Sequence, residues 1–200
     1  WKMWEQYIAN ESARAFKLDA LRSSHPILMH LDSAQKVEEV FDAISYCKGG
    51  STIRMIYSIV GAENFQKGLQ IYMQRHKYGN TETDDLWRAW TEASGIPMAE
   101  ILSTWTKEMG FPVVFVESSP EGDQTKLKLE QRWFLADGSQ LPEDSEKIWQ
   151  IPITWYNPTS GEFPDPNAGK GEHHFFSTHR EETITDADPK TWTLLNKNRW

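Results

Sequence analysis

Tyr46 stands in the run Phe41-Asp42-Ala43-Ile44-Ser45-Tyr46-Cys47-Lys48-Gly49-Gly50, which offers the most specific chemistry in the sequence. A phenol keeps its proton until about pH 10, so it donates a hydrogen bond near neutrality without first gaining one. Such a donor suits an oxyanion developing on a carbonyl. The same pattern also fits a core tyrosine at a helix start with its hydroxyl satisfied, and residue types alone leave both readings open. Gly49 and Gly50 are best explained as room for close backbone approach where the following helix packs. Lys48-Gly49-Gly50-Ser51 is not a phosphate loop, because the spaced glycine and the Gly-Lys-Ser/Thr order are missing.

The histidines are His25, His30, His76, His173, His174 and His179, and none forms His-Glu-x-x-His, the spacing that puts two imidazoles on one helix face. His25 and His30 fall in Pro-containing backbone expected to be irregular. His173 and His174 with His179 make the densest cluster, yet adjacent side chains on a strand point to opposite faces. No metal ligand is assigned in this chain. Other candidates read as structural. Cys47 reads as a small buried filler, with a reactive thiol as the rival reading, and Asp84-Asp85 open a helix whose dipole favours negative charge. Glu38-Glu39 are a solvated helix face, and Glu181-Glu182 with Asp186 and Asp188 are loop charges. The tryptophans at 87, 90, 105, 133, 149 and 155 take core positions by period, with an aromatic carbohydrate platform as the rival reading for the second half.

Two rhythms organise the elements that must position these residues. Up to about Gly110 the apolar spacing is helical. Trp4, Ile8, Glu11 and Ala15 open it, and Val37, Val40, Phe41 and Ile44 follow behind a Ser33 cap. Ile53, Ile56, Tyr57 and Val60 come next, with Gly61 where a helix would stop, and Phe65, Leu69, Tyr72 and Met73 form a third stripe. Thr81-Glu82-Thr83-Asp84 reads as a capping box before Leu86, Trp87 and Trp90, closed by Gly95. Ile101 and Trp105 mark a last helix.

After Phe111-Pro112 the period becomes two. Val113 to Val116 is a β-prone run, and Leu127, Leu129, Gln131 and Trp133 share one strand face opposite Lys126, Lys128 and Glu130. Ala136-Asp137-Gly138-Ser139 supplies a turn or, with Gln140-Leu141-Pro142, a longer loop. Trp149, Ile151, Ile153 and Trp155 alternate again, with Pro152 implying an edge or a bulge. A Pro/Gly-rich stretch over 164–171 precedes a further strand around His174 to Ser177. The fold class is α+β and multidomain: a helical array over 1–110, then an all-β sandwich over 111–200.

Composition bounds the function. With 38% apolar residues, 10 Trp and 9 Phe, the chain can pack a core and is not a disordered tract. A net charge of −8 argues against a nucleic-acid partner. No apolar run reaches the roughly 20 residues that span a bilayer, so no membrane segment is expected. The single cysteine fits a reducing compartment.

Several blocks resemble, in order, the zinc aminopeptidases of the aminopeptidase N and puromycin-sensitive type. They are Asp19-Ala20-Leu21-Arg22-Ser23-Ser24-His25-Pro26-Ile27, the Phe41 to Met55 block, Phe65 to Tyr72, His76-Lys77-Tyr78-Gly79-Asn80, Asp85-Leu86-Trp87 and Trp105 to Val113. They span roughly residues 14 to 155. The resemblance implies that 1–110 is the C-terminal helical part of a thermolysin-like catalytic domain and that 111–200 is a β-sandwich domain. The sandwich is expected to be truncated at its end, with the last residues frayed. It also implies that Tyr46 is the oxyanion-stabilising donor of an enzyme releasing N-terminal amino acids from peptides. Zinc is implied in the intact enzyme and none in this piece, which is expected to be inactive alone. Its partners would be peptide substrates and the remaining domains of the same enzyme, in the cytoplasm. The alternatives are a non-catalytic scaffold or interaction module of the same architecture, and a self-standing β-sandwich binding module.

Overall fold

The computed structural model describes residues 1–31, 33, 38, 40–122, 124–156, 172–187 and 194–195. Helices come first and strands follow, so the chain is α+β. It divides into two compact units, Trp1–Phe111 with Leu135–Ser139, and Pro112–Phe134 with Gln140–Trp200.

In the first unit, α1 (Met3–Tyr7) passes through a π-helical turn, Ile8–Ser12, into α2 (Ala13–Asp19). The buried stripe of this opening segment is Ser12, Ala15 and Asp19, while Trp4 is exposed beneath Arg54, whose guanidinium lies 4.9 Å from the indole centroid. The expected apolar face led by Trp4 is therefore corrected to a small and polar one. A second π-helical turn, Ile44–Lys48, leads into α3 (Gly49–His76). Residues 34–37 and 39 of the helix expected behind Ser33, Val37 among them, lie outside the described residues. Phe41-Asp42 form a bend that leaves Phe41 exposed. The reason is local: the Asp42 carboxylate takes the Ser45 N–H at 2.9 Å, as a residue capping a helix start does.

Helix α3 is two helices in line. Gly61 breaks it with φ 77° and ψ 163°, torsions open essentially to glycine, at the position where the sequence calls for a stop. Before the break, Thr52, Met55, Ile56 and Val60 are buried and Ile53 and Tyr57 exposed. After it, Leu69 and Met73 of the expected stripe face out. Contact is made instead through Gly68, where a Cβ would run into the Trp90 indole. Phe65 stacks on Trp90 at 5.0 Å, Trp90 on Trp87 at 5.7 Å, and Trp90 Nε1 donates to the Phe65 carbonyl. Each such buried aromatic contributes about 1.5–3 kcal/mol. The helices α4 (Thr83–Ser94) and α5 (Met98–Lys107) complete the unit. The capping box of α4 uses Glu82 and Asp85, one residue later than expected, because Thr81 is engaged by the Tyr72 hydroxyl at 2.7 Å. Gly95 ends α4 at φ 75°. The Leu135–Ser139 turn joins this unit through Ala136 N–H to the Ala20 carbonyl and Arg22 to the Ser139 hydroxyl.

The second unit holds two antiparallel three-stranded sheets. In one, β2 (Gln124–Trp133) lies between β1 (Pro112–Glu121) and β5 (Glu181–Ala187). In the other, β3 (Ile151–Tyr156) lies between β4 (Glu172–Ser177) and β6 (Leu194–Leu195). On β2 the period-two pattern holds, with Leu127, Leu129, Gln131 and Trp133 all buried. Trp87, Trp90 and Trp149 are also buried, Trp105 is half-buried, and the Trp155 side chain lies outside the described residues. Pro152 faces Phe176 of β4, and among the described residues β6 meets β3 only at Trp155 and Tyr156. Its missing N–H therefore falls where β3 has one described neighbour. Glu181, Glu182 and Asp186 are strand residues of β5, correcting their reading as loop charges; Asp188 lies outside the described residues. Glu181 stands on the face opposite the buried Ile184 while Glu182 shares the Ile184 face, so charge on both faces hides the strand period.

Candidate active site around Tyr46

Tyr46 sits in the middle of the π-helical turn Ile44–Lys48, its ring 64% exposed. Phe41 lies beside it, with ring centroids 6.4 Å apart and planes tilted by 34°. π-Helical turns widen the helix at single points and recur at functional sites. This one is fixed from both ends and from behind.

At its start, Asp42 does three things. Its carbonyl accepts the Tyr46 N–H at 3.1 Å, one carboxylate oxygen accepts the Ser45 N–H, and the other meets His25 Nε2 at 2.5 Å. Burial works against charge on Asp42, but the Ser45 N–H and His25 outweigh it and hold its pKa below the usual carboxylate value. Burial likewise opposes charge on His25, yet its bonds to the Pro26 carbonyl and Asp42 win, so its pKa is raised.

At its end, Lys48 points inward. Its Nζ is 2.9 Å from Asp19 Oδ2 and donates to the carbonyls of Gly110 at 2.9 Å and Glu108 at 3.1 Å. Asp19 Oδ1 accepts the Gly110 N–H at 2.8 Å and the Ser24 hydroxyl at 2.6 Å. Both charged side chains are buried, at 8% and 2% exposure, and every neighbour named here completes their hydrogen bonding. Behind the turn, Tyr7 donates to the Cys47 carbonyl at 3.0 Å and the Cys47 thiol to Glu11 at 3.0 Å. Burial and the Glu11 carboxylate push the thiol pKa up, which keeps Cys47 protonated and inert. A Cβ on Gly50 would strike the Tyr7 hydroxyl, whereas nothing lies within 4 Å of one on Gly49. Close approach thus explains Gly50 and not Gly49.

The remaining sequence candidates do not join this site. His179 is exposed and bonds Glu182 at 2.9 Å; the side chains of His173 and His174 lie outside the described residues. Among the described residues no three His, Cys, Asp or Glu side chains converge as metal ligands. Among the described residues no helix is long and apolar enough to cross a membrane.

Residues 1–105 match the model described as Peptidase family M1 domain. The chain belongs to peptidase family M1. It is 38% identical over 195 residues to Puromycin-sensitive aminopeptidase of Caenorhabditis elegans, covering 98% of this chain and 20% of that protein. Aminopeptidase M1 of Arabidopsis thaliana is 45% identical over 154 residues, 77% of this chain and 16% of that protein. Alanine/arginine aminopeptidase of Saccharomyces cerevisiae is 42% identical over 151 residues, 76% of this chain and 17% of that protein. The chain therefore spans about a fifth of the length of the M1 relatives it matches.

The sequence singles out Tyr46 in this region but not the residues that hold its turn. Asp42 had a usable signal, an Asp three residues before the first fixed amide of a helix start. Asp19, His25 and Lys48 had none, since each is paired across the chain.

Proposed function

We propose that the intact protein is a zinc aminopeptidase and that Tyr46 stabilises the oxyanion formed when the amino-terminal peptide bond is attacked. The observation that carries this reading is an exposed phenol on a turn whose Cys47 and Lys48 side chains are buried and hydrogen-bonded. A donor held before the reaction begins needs no reorganisation as charge appears on the carbonyl oxygen, which is where such a hydrogen bond counts most. Residues 1–110 would be the C-terminal part of the catalytic domain and 111–200 a β-sandwich domain. Family M1 peptidases are generally zinc-dependent. The described residues of this chain do not fit as a zinc site, so no step is derived through the metal here, and the piece alone is expected to be inactive.

The test is Tyr46→Phe in the full-length protein, assayed on an aminoacyl chromogenic substrate. Loss of one oxyanion donor lowers kcat by about 10²–10³ with little change in KM. Full turnover in that variant would show that Tyr46 takes no part in the chemistry, whereas a wild-type protein without turnover would favour the non-catalytic scaffold.

A further inference from the structure

The His25 ring sits between two acceptors. Nδ1 is 2.8 Å from the Pro26 carbonyl oxygen and Nε2 is 2.5 Å from Asp42 Oδ2. A carbonyl and a carboxylate only accept, so both bonds exist together only when both ring nitrogens carry protons. The imidazolium thereby fixes Asp42, whose other oxygen and carbonyl hold the Ser45 and Tyr46 amides. One side-chain contact, His25 to Asp42, and one backbone bond, the Tyr46 N–H to the Asp42 carbonyl, connect His25 to the Tyr46 backbone.

We propose that His25 is a positioning residue whose protonated form keeps Asp42 in place as the cap of the turn that aims the Tyr46 phenol. This rests on the assignment of Tyr46 as the oxyanion donor. Among the described residues, the charged groups that act on His25 are Asp42, and Asp19 at the end of α2, itself paired with Lys48 of the turn. Both carboxylates favour the imidazolium, and the raised pKa of His25 agrees. Deprotonation leaves one of its two bonds without a proton, freeing either the ring or the cap. A displacement of the phenol by a fraction of an ångström is enough to weaken a hydrogen bond made only in the transition state.

The experiment uses the full-length protein and compares wild type, His25→Gln, Asp42→Asn, Tyr46→Phe and His25→Gln/Tyr46→Phe, with kcat and KM measured across pH. His25→Gln is expected to lower kcat roughly ten- to a hundred-fold at constant KM and to remove the wild-type loss of activity as pH rises through the His25 pKa. Asp42→Asn keeps an oxygen for Ser45 but withdraws the negative charge, so the alkaline loss moves to lower pH. In the Tyr46→Phe background, His25→Gln adds no further loss, because both act through one phenol. Additive losses, or an alkaline limb unchanged in both His25→Gln and Asp42→Asn, overturn the proposal while leaving Tyr46 in its role. Wild-type turnover in Tyr46→Phe overturns both. If His25→Gln does not fold, the direction of the Asp42→Asn shift decides.

Discussion

The two units each bury a polar hub, and the hubs are built from opposite materials. In the helical unit, Lys48 and Asp19 form a charged pair that gathers Gly110, Glu108 and Ser24. In the β unit the hub is Gln131, 1% exposed and neutral. Its amide donates to the Trp149 and His179 carbonyls at 2.9 Å and accepts the Trp149 N–H at 2.9 Å. Its backbone exchanges bonds with Arg180, the N–H going to the Arg180 carbonyl and the guanidinium donating to the Gln131 carbonyl. An amide can serve both a donor and an acceptor, so one side chain satisfies irregular backbone beside a strand. A charged pair is needed where two side chains from separate helical segments must hold each other as well as the chain between them. The difference teaches that the region carrying the exposed phenol relies on the costlier kind of hub.

That contrast can be broken most violently at Lys48. Lys48→Met strands the Asp19 carboxylate in the interior and should cost about 3–5 kcal/mol, seen as a large drop in the melting temperature of the helical unit. Adding Asp19→Leu should recover part of the loss. A double variant as unstable as the single one would mean that packing, not charge pairing, sets the cost. Gln131→Leu should cost less, about 1–3 kcal/mol, because the groups left unmet are neutral backbone ones. Chemical denaturation followed by Trp fluorescence measures it, and a loss equal to that of Lys48→Met would erase the distinction.

The smallest effect concerns pH. His25 has a raised pKa, so its contribution is complete below its unfolded value of about 6.5 and is lost as pH rises through the folded value. Asp42 has a lowered pKa, so its contribution is present above about 3.9 and is lost as pH falls through the folded value. The pair therefore stabilises most between about pH 4 and 6.5. Melting temperatures of wild type and His25→Gln should differ most in that window and converge above it. The pair is about one-third exposed, so screening keeps the difference small. Every bond of the Gln131 hub uses a carboxamide, a backbone group or the Arg180 guanidinium, so Gln131→Leu should shift stability equally at every pH in that range.

How much of this could be read in the sequence depends on the range of the interaction. The face of β2 was legible because a strand half buried on one side prints its environment at every second residue, from Leu127 to Trp133. Gly61, Gly95 and the close approach at Gly50 were legible because glycine marks a backbone need. The second half of α3 misled, since its contact is made by the absence of a side chain at Gly68 while Leu69 and Met73 stay outside. The clamp on Tyr46 was invisible for a different reason. Lys48, Asp19, His25 and Asp42 look like ordinary surface charges until the fold brings them together, and the π-helical turn has no period of its own to detect.

Three glycines along α3 exclude a side chain, but not for one reason. At Gly50 and Gly68 a neighbouring ring occupies the space, so the ban is steric and would lift if Tyr7 or Trp90 were trimmed. At Gly61 nothing lies within 4 Å, and only the torsions object. The restriction there is one of handedness: an L-residue is strained at φ 77°, whereas its mirror image would sit at ease in the same open space.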